Sequence, residues 1–169
     1  AEIKRRSPSR GFLAEIPSAA NQAELYERSG AHAISVLTEE SGFGGKLEDL
    51  VDARTTTTIP LLRKDFISTE YQILEARAFG ADLALLIVAA LEQKVLAELN
   101  DFALSLGLTV LVETHSREEL HRALEINASL IGVNARNLST FELDRELFST
   151  LVDDIPSGVI KVAESAVRN

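Results

Sequence analysis

The sequence predicts an α/β fold built of repeated strand–helix–strand units, on three observations. Short apolar, β-branched runs of buried-strand length alternate with amphipathic stretches. The alternation recurs every ~20–30 residues, the signature of βαβ units. No linker or low-complexity tract interrupts it, so residues 1–169 read as a single domain.

The elements follow in order. The opening AEIK reads as the end of a strand, and SAANQAELYERSG as a helix leading to the strand HAISVL (His32–Leu37). SGFGGKLEDL (Ser41–Leu50) is glycine-rich but matches neither a P-loop nor a dinucleotide fingerprint. It reads as a mobile loop with Phe43 as a lid or wall. IPLLRK (Ile59–Lys64) is a strand, followed by the helix STEYQILEARAFG with Thr69 as N-cap, then the strand DLALLIV (Asp82–Val88). In LEQKVLAELNDFALSLG, Val95, Leu96, Leu99, Phe102, Ala103 and Leu106 recur at helical spacing. LTVLVE (Leu108–Glu113) is the next strand, and SREELHRALEIN a helix whose Ser116 and Glu119 form a capping-box pattern. SLIGVN (Ser129–Asn134) and VIKVAE (Val159–Glu164) complete seven strands among about six helices. Gly30, Gly80 and Gly107 each follow a helical stretch, where a left-handed residue is favoured. A doubly wound sheet and a (β/α)8 barrel both fit this alternation.

Composition narrows the function. Seventeen Lys and Arg against 26 Asp and Glu give a net charge of −9, which argues against a nucleic-acid partner. A local cluster of lysines and backbone N–H groups can still receive an anionic small molecule. There is no cysteine, hence no disulfide framework, thiolate metal site or thiol nucleophile. The longest apolar run, LALLIVAAL, is too short for a membrane span, and no leader is visible, so a cytoplasmic protein without a membrane partner is expected. The chain has no methionine and opens on AEIKRRSPSRG, which predicts a piece or processed product of a longer chain.

The polar residues at the strand ends favour the barrel, where such residues converge on one pocket from several strands. They are Glu2 and Lys4, then Lys64, Glu113, Asn134, and Glu164 followed by Ser165. Side chains alternate along a strand. Lys64 therefore shares a face with Leu62, Glu113 with Leu111 and Thr109, and Glu164 with Val162: a charge above an apolar floor each time. Arg63 and Asp65 have the opposite parity and read as supporting charges, while Phe66 returns to the parity of Lys64. A single charged strand end is ordinarily solvated; five strands ending in Lys, Glu or Asn make a constellation able to hold a general acid and a general base together. RRSPSRG (Arg5–Gly11) suits a phosphate or carboxylate, though Ser-Pro-Ser is also an ordinary turn. His32, His115 and His121 show no metal-ligand spacing; His115, just past Glu113, could face the site but reads sooner as an exposed loop residue, and His121 reads as surface. No nucleophile elbow or paired-histidine zinc motif is present.

AEIKRRSPSRG, SVLTEESGFGG, LLRKDFI, LLIVAAL, LVETH, IGVNARNLSTFELD and VAES occur in this order over essentially the whole chain. Together they resemble the indole-3-glycerol phosphate synthase family of tryptophan biosynthesis. The resemblance implies a (β/α)8 TIM barrel, settling the choice against the doubly wound sheet. It implies a lyase that closes the ring of 1-(2-carboxyphenylamino)-1-deoxyribulose 5-phosphate with loss of carbon dioxide and water, using no cofactor and no metal. Lys64 matches the family's general acid, Glu113 its acid/base group, and Lys4 the lysine pairing with the anthranilate carboxylate and Glu113. Glu2, Asn134 and Glu164 match polar residues around the reacting centre, Ser7 and Ser165 residues near substrate and phosphate, and Arg136 a substrate-contacting arginine. Phe43, Phe66, Leu85, Val133 and Leu138 match the apolar wall, although Val133 has the opposite strand parity to Asn134.

Three departures accompany the resemblance. The family's N-terminal extension and its eighth βα unit with a phosphate loop are missing, and Ala166 stands where the family has a glycine. A truncated barrel of strands 1 to 7 is therefore expected, weakly active or inactive by itself and self-associating through its open edges. The rival readings are a non-catalytic barrel fragment acting as a folding or interaction unit, and another phosphate-binding barrel of the pathway. For the latter, phosphoribosylanthranilate isomerase, the missing cysteine counts against the match.

Overall fold

The computed structural model describes residues 1–138 and 140–165. Its strands are β1 (Glu2–Ile3), β2 (Arg6–Ser7), β3 (Gly11–Phe12), β4 (Ile34–Leu37), β5 (Leu61–Lys64), β6 (Leu83–Ile87), β7 (Thr109–Thr114), β8 (Leu130–Asn134) and β9 (Ile160–Glu164). The helices are α1 (Ala19–Arg28), α2 (Glu48–Arg54), α3 (Glu70–Ala78), α4 (Gln93–Ser105), α5 (Arg117–Glu125) and α6 (Leu147–Leu151). Seven strands form one parallel sheet in the order β1-β4-β5-β6-β7-β8-β9, each paired with its successor in that order. The sheet curls into a half-barrel, an α/β architecture of the TIM-barrel kind.

Strand parity divides the core in two. Ile34, Val36, Leu61, Ala84, Leu86, Val110, Val112 and Ile131 pack outward against the helices with Leu50, Ile73, Leu96 and Leu120. Leu62, Leu85, Ile87, Leu111 and Leu130 form a second, interior cluster with Leu83 and Val162. Each fully buried leucine is worth about 1.5–3 kcal/mol, so both layers hold the curl. Val133 is fully buried in the outer layer. Its strand parity prevails, and it is no part of an interior wall.

The helix boundaries follow local chemistry. Ser18, Thr69 and Ser116 have extended backbones and accept hydrogen bonds from Asn21, Gln72 and Glu119 N–H, satisfying free first-turn donors of α1, α3 and α5. Gly30, Gly80 and Gly107 have φ of 90°, 92° and 75°, the left-handed conformation that ends their helices. Two segments differ from the sequence expectation. Ser41–Leu50 contains the start of α2, and its glycine turn is organised by Glu39, whose carboxylate accepts from Gly42 N (2.7 Å) and Phe43 N (3.1 Å). RRSPSRG folds as a small hairpin, β2 against β3. Arg5 anchors it, donating to both Asp49 oxygens at 2.6 and 2.9 Å and to Ile16 O at 3.0 Å.

Among the described residues no helix is long and apolar enough to cross a membrane. Ala166 lies outside the described residues.

Candidate active site

Parallel strands all end at the same rim of the sheet, and that rim is where the interior-facing polar side chains stand. Lys64, last residue of β5, extends above Leu62 and places Nζ 3.0 Å from Glu164 Oε2 and 3.5 Å from Glu2 Oε1. Glu2 belongs to β1 and Glu164 to β9, the two edge strands, so the curl brings both edges to one ammonium group. Lys4 pairs with Glu2. Among the described residues the expected pairing of Lys4 with Glu113 is not formed: immediately past Ile3, Lys4 reaches the carboxylate of its own segment.

Glu113 is almost wholly buried, with Asn134 Nδ2 donating to its Oε1 at 3.0 Å. Asn134 is oriented in turn by Arg136 N–H, which donates to Oδ1 at 3.0 Å. The other oxygen of Glu113, Oε2, and Glu164 Oε1 are both buried with no hydrogen-bond partner among the described residues. Two carboxylate oxygens are thus left unengaged at the centre of the cluster.

Glycine at position 132 makes room for this arrangement. Its position on β8 faces inward between Leu130 and Asn134, and a Cβ there would collide with Glu164 Oε1 and stand 3.3 Å from Leu111 Cδ1. Sequence reasoning passed over Gly132. Its parity with Asn134 was the available signal, because a side chain missing from an inward row creates space for a neighbour.

Burial and charge drive these groups apart. Burial pushes the Glu164 carboxyl up, and the Glu113 charge adds to it, carrying Glu164 to about 7 despite Lys64. Burial also opposes ionisation of Glu113, but the close contact of His115, the Lys64 charge and the Asn134 hydrogen bond outweigh it and hold Glu113 below its ordinary value. Lys64 stays above the usual lysine range because Glu164, Glu2 and Glu113 overcome its desolvation. Glu2 is likewise lowered, Lys64 and Lys4 overcoming its burial. The cluster therefore holds a firmly cationic lysine, an ionised glutamate and a glutamic acid titrating near neutral pH, which is an acid–base set.

His115 is not an exposed loop residue. Its side chain is 9% exposed, with Nε2 3.1 Å from Glu113 Oε1 and Nδ1 3.1 Å from Glu119 Oε2. His121 is exposed, as expected, and so is His32.

The remaining expected residues lie at varying distance from this centre. Leu85 is buried in the interior floor. Phe43 and Phe66 meet with ring centroids 6.3 Å apart, but Phe66 lies beyond the end of β5 and is half exposed, so the pair forms a lip rather than a wall. Leu138 is exposed on the segment after β8. The Arg136 guanidinium donates to Phe141 O at 3.0 Å, fastening its own loop. Ser7 sits in the hairpin, and Ser165 follows Glu164 with φ 59°, a left-handed turn directly above β9. A cavity of about 680 Å³ adjoins the site behind His115 and Asn134, lined also by Glu142 and Asp144 and by none of the strand-end lysines.

The same curled architecture occurs in N-acetylmannosamine-6-phosphate 2-epimerase from Clostridium perfringens, with a TM-score of 0.69 at 13% identity over 89% of this chain and 69% of that one. KGPDC from Streptococcus mutans matches at a TM-score of 0.65 and 11% identity, over 88% of this chain and 72% of that one. These likenesses concern the fold alone. In sequence, the chain is 62% identical over its full length to indole-3-glycerol phosphate synthase of Leifsonia xyli, and 59% identical over 99% of its length to that of a Parafrankia strain. It spans 65% and 63% of the length of those relatives. The family model for indole-3-glycerol phosphate synthase matches residues 1–169. With every residue inside that match, and relatives near 60% identity along the whole chain, this chain belongs to the indole-3-glycerol phosphate synthase family.

Proposed function

We propose that this chain carries the catalytic residues of an indole-3-glycerol phosphate synthase, a carboxy-lyase of tryptophan biosynthesis acting in the cytoplasm on a phosphorylated small molecule. The observation that carries the reading is Lys64 Nζ, held between Glu164 and Glu2 above an apolar floor and beside the buried Glu113.

In the first step the aromatic carbon bearing the carboxylate attacks the ketone carbon of the substrate. The ketone oxygen takes a proton from Lys64 as the new carbon–carbon bond forms. Lys4, at the end of β1, is the cation for the substrate carboxylate. That group then leaves as carbon dioxide, and its bonding electron pair restores the aromatic ring. The new hydroxyl departs as water with a proton from Glu164, and Glu113 accepts the proton lost as the indole forms. The unengaged oxygens of Glu164 and Glu113 suit those two transfers. Leu85, Phe43 and Phe66 line the approach of the aromatic ring, and low dielectric above the floor strengthens each charge interaction. Ser7 and Ser165, with the basic hairpin, receive the phosphate, and Arg136 contacts the substrate from the segment after β8.

Replacing Lys64 by Ala in the full-length gene product tests the reading. Conversion of 1-(2-carboxyphenylamino)-1-deoxyribulose 5-phosphate is expected to fall by about 10²–10⁴ in kcat, the usual worth of a positioned general acid. Conversion at the unsubstituted rate would overturn it.

A further inference from the structure

His115 occupies a place that general acid–base chemistry alone does not explain. It follows β7 immediately, so its backbone is fixed by the strand that delivers Glu113, while α5 starts two residues later. Glu119, in the first turn of α5, grips it twice: Oε2 accepts the His115 backbone N–H at 2.8 Å and lies 3.1 Å from Nδ1. An ordinary capping box would turn the Glu119 carboxylate to the N–H of Ser116. Here only half of the box forms, Glu119 N–H donating to Ser116 Oγ at 3.2 Å, and the carboxylate is diverted to the histidine. The far side of the ring presents Nε2 to Glu113 Oε1.

We propose that His115, clamped by Glu119, is a positioning residue that holds Glu113 ionised and directs its second oxygen at the substrate. The inference rests on the proposed role of Glu113. Geometry gives the reason. Asn134 Nδ2 donates to Oε1 at 3.0 Å, and His115 Nε2 stands 3.1 Å from the same oxygen as a charge contact without hydrogen-bond alignment, whereas Oε2 is buried and unengaged. One hydrogen bond and one charge contact on the same oxygen hold that side of the carboxylate and leave the other oxygen for proton transfer. The titratable groups around the ring are Glu113 on β7 and Glu119 on α5, in contact with it, and Glu142 and Asp144 among the residues lining the adjoining cavity. Lys64 faces Glu113 from β5 and is the cation opposite the ring. Burial opposes the charged imidazole, but Glu113 and Glu119 outweigh it and raise His115 to about 9. The ring is therefore a second cation beside Glu113 at neutral pH, and it is lost as the pH climbs through about 9.

Two measurements test this on the full-length protein. Nitrogen-15 NMR of the ring at pH 7.5 is expected to show both nitrogens protonated, with the midpoint lowered in Glu113→Gln and again in Glu119→Gln. A ring neutral at pH 7.5, or midpoints unmoved by both substitutions, would sink the proposal whether or not the protein converts the substrate. In kinetics, His115→Ala and the shape-preserving His115→Gln are expected to move the acid limb of the kcat/KM profile upward by about one pH unit, with a loss that approaches tenfold at the foot of the limb and fades toward neutral pH. A merely structural histidine would lower the thermal midpoint and leave the limb in place, which also overturns the inference. If the unsubstituted enzyme fails to convert the substrate, the proposed function falls, while the NMR result still decides the His115–Glu113 link.

Discussion

Lys64 Nζ and Glu164 Oε2 are 100 residues apart in the chain and 3.0 Å apart in space. One ends β5, third of the seven strands in the order from β1 to β9, and the other ends an edge strand. Only a curled sheet lets them meet, so this pair links the architecture to the chemistry.

Glu164 should leave a signature in the pH dependence of stability. Its folded-state value, about 7, lies above the ordinary carboxylate value it has when unfolded. The folded protein thus holds an extra proton between about pH 4.5 and 7, and stability falls as pH rises through that window, then levels off. Glu164→Gln removes the term, so relative to the unsubstituted protein it should gain on the order of 2–3 kcal/mol between pH 4 and pH 8. Urea unfolding at the two pH values measures this; parallel profiles for the two proteins would refute the assignment.

Gly132→Ala should damage site and fold together. The added methyl meets Glu164 Oε1, so the carboxylate must leave its place beside Lys64 or β8 must shift. A destabilisation of about 1–3 kcal/mol is expected, as for other overpacked interiors. Because Glu164 is displaced, turnover should fall further than the same loss of stability causes elsewhere. Thermal midpoint and kcat, measured together against Ala84→Val in the outer layer, separate the two effects.

Arg63 has a structural role on the opposite face of β5. Its buried guanidinium contacts Asp65 at 3.1 Å, Glu75 at 3.2 Å and Thr38 Oγ1 at 3.2 Å. Arg63→Ala would leave two part-buried carboxylates without their cation, at a cost of about 3–5 kcal/mol. Chemical denaturation should show that loss, whereas Arg63→Met should recover part of it by filling the volume.

The described sheet has β1 and β9 as edges, and unpaired edges attract other strands. The 169-residue chain is therefore expected to gain mass with concentration in analytical ultracentrifugation. A constant monomer mass from 1 to 100 μM (on the order of a hundredfold range) would exclude edge pairing of useful strength.

Much of this was legible in one dimension. The strand runs, the glycine ends at Gly30, Gly80 and Gly107, and the caps at Thr69 and Ser116 are local, decided by propensity and backbone sterics within a few residues. Alternation along each strand likewise separates Lys64 from Arg63 and Asn134 from Val133, since side-chain direction has a period of two. Parity fails once the strand ends, which is why Phe66 lies on the lip, whereas Lys4 and Glu2, two residues apart and on one face, pair as parity expects.

What the sequence by itself determined is the alternating fold and the identity of the polar residues along one rim. Tertiary structure alone decided who meets whom. The curl joins Lys64 to both edge strands, the missing side chain of Gly132 admits Glu164, and the helix start at Ser116 swings Glu119 onto His115. The physical reason is range: propensity and periodicity act over a turn or a strand, whereas burial and Coulomb coupling depend on distances that only the folded chain sets.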